Sequence, residues 1–227
     1  DIVQTVSPNV IEKYIPHAVP DLFKKAQPNQ TQDVRKQLGI EKDRFLIFWN
    51  NRNARRKQSG SLVFWYKAFM DKIKKKNKNA KTTLLMHTEV HDPNGQDLYA
   101  IANKLGLNVG DSKEFLISSE KMSIENLSVI YSASDVTISI SDAEGFGLST
   151  FESLACETPI ITTMTGGLQE QVTKIDKIND NIVSKRNAKN AGKCIEYEHG
   201  IGLEPSSRSI IGSQEVPYIY EDRLSKE

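Results

Sequence analysis

Residues 135–162 limit what this chain can fold into more than any other stretch. Asp135-Val-Thr-Ile-Ser-Ile140 is a short apolar run of strand type. It leads into Glu144-Gly-Phe-Gly-Leu-Ser-Thr-Phe-Glu152, a Gly-X-Gly turn flanked by two carboxylates, with an amphipathic helix starting near Leu148. Pro159 to Thr162 reads as the next strand. A strand, a Gly-rich turn and a helix in that order present backbone N–H groups at a helix N-terminus, which carries about half a positive charge. Gly145 and Gly147 let the backbone approach a ligand closely. Carboxylates beside such a cradle do not favour a phosphate, but they accept hydrogen bonds from the hydroxyls of a ribose or a hexose. Glu144 precedes the turn, and Glu152 lies just over one turn inside the helix, so both are able to face one pocket. A phosphate cradle between hydroxyl acceptors points to a nucleotide sugar.

The remainder of the chain repeats the strand and helix alternation. Thr31 to Leu38 reads as a helix stopped by Gly39, and Arg44 to Trp49 as a strand buried on both faces. Leu62 to Lys75 has helical spacing, Thr82 to Met86 is a strand, and Asp97 to Leu105 is a helix ending at Gly106. Phe115 to Ile117 is a strand, Ser123 to Ser132 a helix, and Leu168 to Val172 a last helix. This predicts an α/β fold: an open parallel sheet with helices on both faces, the loops after its strands gathered along one edge. Residues 1–30, with four prolines, form a leading segment, 31–187 the sheet domain and 188–227 an irregular C-terminal extension. Asn181 to Val183 is expected as an edge strand and Val216 to Tyr220 as a short strand across the domain.

Composition removes several function classes. Lys plus Arg is 30 and Asp plus Glu is 29, so a net charge of +1 gives no global attraction to nucleic acid or membrane. Seven lysines from Lys67 to Lys81 read as a solvated helix face; contact with anionic lipid is the alternative, which the near-neutral charge does not support. No apolar run is long enough to span a bilayer. Cys156 and Cys194 make neither a disulfide framework nor a zinc pattern, and a reducing cytoplasm is the natural setting. His17, His87, His91 and His199 are scattered, and no metal site is expected.

The pair Glu144 and Glu152, with seven residues between, resembles the paired-glutamate motif of retaining glycosyltransferases of family 4. The run Tyr131 to Gly167 is similar to that family almost throughout. It departs at Glu157, where the family usually has Gly after the Ala-Cys pair. The resemblance implies a GT-B architecture of two Rossmann-like lobes, of which this is the C-terminal, donor-binding one. Residues 1–30 then become the interlobe segment, since Ile15 to Phe23 is similar to the family's approach to that lobe. The N-terminal acceptor lobe is expected to precede Asp1.

Arg52, Arg55, Arg56 and Lys57 crowd the loop after the first strand. The family carries an arginine followed five or six residues later by a lysine, which grip the donor diphosphate. Arg52 and Lys57 match best, with Arg55 and Arg56 open alternatives. Cations fixed at the leaving diphosphate stabilise the transition state more than the ground state. The resemblance implies that Glu144 contacts the sugar and Glu152 the ribose, and that Phe146, Gly147, Leu148 and Ser149 line the donor site. Phe115 and its strand end are expected near the base, with Gly166 and Gly167 forming a second Gly-rich helix start. The expected substrate is a nucleoside-diphosphate sugar, with UDP or GDP placed ahead of ADP, and the acceptor is a hydroxyl of unspecified kind. No metal or cofactor is implied. The rival readings are a non-catalytic nucleotide-sugar-binding module and a sugar-nucleotide epimerase or phosphorylase of the same architecture.

Overall fold

The computed structural model describes residues 5–11, 13, 15, 17–107, 109–110, 113–172, 191–215 and 218–225. Helix α1 (Pro28–Gln37) leads into β1 (Phe45–Asn50), α2 (Ser59–Lys76), β2 (Thr82–His87) and α3 (Leu98–Lys104). Then come β3 (Phe115–Ser118), α4 (Ile124–Ala133), β4 (Val136–Ser139), α5 (Leu148–Ala155), β5 (Ile160–Thr163) and α6 (Leu168–Val172). The last described elements are β6 (Cys194–Tyr197), β7 (Gly200–Leu203), β8 (Ser207–Ile211) and β9 (Ile219–Arg223). Among the described residues the main sheet has seven strands in the order β3-β2-β1-β4-β5-β7-β6. All pairings are parallel except β6 with β7.

Side-chain alternation along the strands builds the two layers. Leu46 and Phe48 of β1 and Leu85 of β2 pack with Ile130, Tyr131 and Cys156 on one face. Ile47, Trp49, Leu84 and Met86 pack with Leu62, Val63, Tyr66 and Met70 of α2 on the other. Each such side chain contributes about 1.5–3 kcal/mol by its burial. Helix starts follow their caps: Asp97 accepts from Ala100 N–H at 2.9 Å and Ser123 from Asn126 N–H at 3.3 Å. Pro28, one of the four prolines of the leading segment, opens α1, where a missing N–H costs nothing. Residues 23–26 dock on α4: Lys24 N–H reaches Ser128 Oγ at 3.2 Å and Ala26 N–H reaches Ser132 Oγ at 2.9 Å.

The C-terminal stretch differs from its irregular expectation. β6 and β7 extend the sheet beyond β5, and β8 pairs antiparallel with β9 as a separate ribbon. A Cβ on Gly200 would lie 2.0 Å from Ile160 O, so β7 sits beside β5 because it lacks one. The β9 ribbon strand overlaps the end of the short strand expected over 216–220, whose first two residues lie outside the described residues, as does the edge strand expected over 181–183.

The chain passes from β1 outward to β2 and β3, then returns to place β4 on the other side of β1. The β1–β4 boundary is therefore a topological switch point, where the loops after two adjacent strands diverge and open a crevice. Residues 51–58 follow β1 there, and residues 140–147 follow β4.

Candidate functional site

The loop after β1 is pinned by Asn53, which is fully buried. Its amide donates to Gln96 O at 2.7 Å and Val90 O at 3.3 Å, and its side-chain oxygen accepts from Ser59 Oγ at 2.6 Å. A 3-10 turn, Arg55–Lys57, then aims successive side chains in different directions. Arg52 donates to Asp92, with Nη2 3.1 Å from Oδ1, and this bond holds the Asp92 carboxyl below its usual range. Arg55 makes two bonds to Glu221, 2.6 and 3.1 Å. Arg56 donates to Ala143 O at 2.7 Å and to Glu144 Oε2 at 3.3 Å. Lys57 donates to the same Glu144 oxygen. Of the cations the sequence groups, Arg56 and Lys57 meet Glu144, while Arg52 and Arg55 are engaged elsewhere.

Lys57 is only 8% exposed. Burial pushes its amine below the usual lysine range, and the Glu144 bond acts against that shift. Glu144 is 11% exposed at its side chain and also lies 3.5 Å from Ser141 Oγ.

The turn after Glu144 is shaped from behind. Gly147, at φ 86°, is the N-cap of α5. Its carbonyl accepts from Thr150 Oγ1 at 2.8 Å and from Gln171 Nε2 at 3.0 Å, while Phe146 O accepts from Gln171 Nε2 at 2.6 Å. Gly167 N–H donates to Gly145 O at 2.9 Å. Gly166 lies so close that a Cβ there would sit 1.7 Å from Glu144 O. The carbonyls of residues 145–147 are thus used by α5 and α6, whereas the α5 N-terminus carries no side-chain cap. Its first-turn N–H groups therefore lack a side-chain cap, and the positive end of its dipole lies at this turn.

These pieces border an open cavity of about 330 Å³. Asn51, Lys57, Glu144 and Phe146 to Ser149 line it. His17 closes one end, its ring 4.6 Å from that of Phe146. A buried cation, a carboxylate and an open helix N-terminus can hold an anion joined to a hydroxylated group.

Of the residues picked out in the sequence, Lys57, Glu144, Phe146, Gly147, Leu148 and Ser149 meet at this cavity. Arg52 does not line it. Gly145 is exposed beside it, with open space where a Cβ would be. Gly166 and Gly167 support the turn from behind instead of lining the cavity. Glu152 faces inward: its Oε2 accepts from Tyr131 Oη at 2.8 Å, which in turn accepts from Asn50 Nδ2 at 2.8 Å, and burial pushes the Glu152 carboxyl up. Phe115 corrects an expectation, since it opens β3 at the end opposite the crevice and its side chain is fully buried in the core. Sequence reading passed over Asn51, Asn53 and Gln171, and noted His17 only as one of four scattered histidines. The polar character of the Asn50–Asn53 run, directly after an apolar strand, was the available signal.

Among the described residues no group of three or more His, Cys, Asp or Glu is placed to hold a metal ion, and no helix is long and apolar enough to cross a membrane.

A family model described as glycosyl transferases group 1 matches residues 30–197. A search of curated proteins finds no match. Among solved structures, sucrose-phosphate synthase from Thermosynechococcus elongatus is similar with a TM-score of 0.57 at 24% identity, over 75% of this chain and 40% of that one. Anabaena HepE, in complex with UDP and glucose, gives 0.55 at 18% identity, over 70% and 39%. The catalytic domain of starch synthase IV from Arabidopsis thaliana, bound to ADP and acarbose, gives 0.52 at 19% identity, over 83% and 36%. These likenesses show the fold. This chain spans about two fifths of the length of the three structures.

Proposed function

The chain belongs to the glycosyl transferases group 1 family, and from that premise we propose that it is the donor-binding lobe of an enzyme moving a sugar from a nucleoside-diphosphate carrier to a hydroxyl acceptor. The observation that carries the reading is the meeting of Lys57 and Glu144 beside the uncapped N-terminus of α5, at the β1–β4 switch point. A diphosphate placed there sits between the lysine ammonium and the helix dipole. Lys57 has three N–H donors, so it can keep Glu144 and still reach phosphate oxygens. As the sugar bond breaks, negative charge grows on the leaving diphosphate, and a cation already fixed and desolvated stabilises it without reorganisation. Glu144 then accepts from sugar hydroxyls while Lys57 keeps its bond to the same carboxylate.

The finer reading is a retaining enzyme of family 4, with a UDP or GDP sugar ahead of an ADP sugar, and with the acceptor bound by a partner lobe across the crevice. We place the reaction in the cytoplasm, where the unpaired thiols of Cys156 and Cys194 are stable. Arg52 belongs to the diphosphate grip in this reading only if it leaves Asp92 when the donor binds.

Calorimetric titration of the chain with UDP, GDP and ADP tests the proposal. One nucleotide is expected to bind, with affinity reduced at least tenfold by Lys57→Ala, the loss of a charge-assisted bond. Equal binding by the natural chain and Lys57→Ala would remove the basis of the reading.

A further inference from the structure

The two asparagines that end β1 and begin its loop are treated differently by the fold. Asn50 donates its side-chain amide to Tyr131 Oη at 2.8 Å. Asn51, one residue on, has its backbone N–H on His87 O at 3.4 Å and is among the residues lining the cavity with Lys57 and Glu144. Its Nδ2 atom is buried and has no hydrogen-bond partner. A buried amide left unpaired costs the free protein the desolvation of that group, so it persists where something else supplies the acceptor. Nearby charge says what kind of acceptor that is. The cavity already presents a lysine ammonium and an open helix N-terminus, both of which select an anion. Arg52, the residue expected from sequence to give the second phosphate contact, is bonded to Asp92 instead and does not line the cavity.

We propose that Asn51 is a donor-binding residue, its side-chain amide turning from its buried position so that Nδ2 donates to a phosphate oxygen of the bound nucleotide sugar and makes, as a neutral amide beside Lys57, a contact expected of an arginine. The inference rests on the nucleotide-sugar reading of the cavity. It carries a thermodynamic signature that a structural asparagine lacks. Removing an unsatisfied donor relieves the free protein, whereas removing a bonded one weakens it.

The test is titration of the natural chain, Asn51→Ala and Asn51→Asp with UDP, GDP and ADP, together with thermal melts of each free protein. With whichever nucleotide the natural chain binds, Asn51→Ala is expected to lose about tenfold in affinity or more, with a free-protein melting temperature unchanged or raised. Asn51→Asp keeps the shape but replaces the donor by an acceptor. It is expected to lose more than Asn51→Ala, by a margin that shrinks as salt screens the repulsion. Affinity unchanged in Asn51→Ala would overturn the proposal, as would a lowered melting temperature of the free variant. Asn51→Asp binding as well as the natural chain would place a hydroxyl, not a phosphate, at the amide. Failure of the natural chain to bind any of the three would instead sink the nucleotide-sugar reading itself, and the role of Asn51 with it.

Discussion

Gly145 and Gly166 look alike in sequence but stand in opposite situations, and substituting each by alanine separates motif from mechanics. Gly145 has nothing within 4 Å of the position an added methyl would take and no positive φ. Gly166 has φ 49°, and its Cβ would fall 1.7 Å from Glu144 O and 2.9 Å from Glu144 C. An L-residue in the left-handed region costs about 1–2 kcal/mol. A carbon and an oxygen in ordinary contact are about 3.5 Å apart, so the Glu144 backbone has to retreat by roughly 1–2 Å, adding about 1–3 kcal/mol of overpacking. The sum, about 2–5 kcal/mol, corresponds to a melting temperature lowered by roughly 5–15 °C for a domain of this size. Because the displaced atom belongs to Glu144, nucleotide affinity is expected to fall with it, while Gly145→Ala leaves the melting temperature within about 2 °C. Differential scanning calorimetry of both variants, with and without nucleotide, reads the two effects. Gly166→Ala melting and binding like Gly145→Ala would refute the account of how the turn is held.

Three further substitutions probe the charges. Glu144→Gln removes the carboxylate that opposes the burial effect on Lys57, so the Lys57 amine is expected to titrate lower still, followed by the pH dependence of its NMR signal after reductive methylation; no further fall would mean that the pair is not coupled. Glu152→Gln tests pH linkage. Burial raises the Glu152 carboxyl above the ordinary glutamate value of 4.5, so the folded state holds that proton more tightly, and the associated stability is full below the unfolded value and lost as pH rises through the folded one. The melting temperature of Glu152→Gln relative to the natural chain is therefore expected to increase from about pH 4 to about pH 7, and a flat difference would contradict the burial argument. Glu221 is 1% exposed between Arg55 and Arg223, the latter 2.7 Å away, and Arg223 also holds Asp142 at 2.7 Å. Glu221→Gln leaves Arg55 without its carboxylate partner, while Arg223 keeps Asp142; because Arg55 reaches solvent, the expected loss is about 1–2 kcal/mol, seen in urea unfolding as a lower midpoint at unchanged slope.

How much of this was legible in the sequence depended on the range of the interaction. The helices and strands from α1 to α6 follow from local periodicity, and their ends from Asp97, Ser123 and Gly39, since period and capping are fixed within a few residues. The Glu144–Ser149 turn was legible because strand, glycine and helix succeed one another without a gap. Partition of the cations was not, because it is decided far along the chain: Asp92 takes Arg52, Glu221 takes Arg55, and Glu144 takes Lys57. Nothing in the spacing of residues 52–57 reports which carboxylate each will meet. The partner of Glu152 was hidden for a related reason. Its position one turn into α5 leaves two faces open, and Tyr131 on α4 chooses the inner one. The β6, β7 and β8 strands escaped notice, and β9 was expected three residues early, because four or five residues with interior glycine or alternating charge carry little periodic signal, and partners outside the segment decide their pairing.

The central claim is that an anionic donor is held between Lys57 and the N-terminus of α5. A crystal structure of the chain with its nucleoside diphosphate bound tests this most directly. The account predicts phosphate oxygens within hydrogen-bonding distance of Lys57 Nζ and of the first-turn N–H groups of α5, with Asn51 Nδ2 newly satisfied. A diphosphate seated elsewhere, with the Lys57–Glu144 pair undisturbed and that cavity vacant, would contradict it.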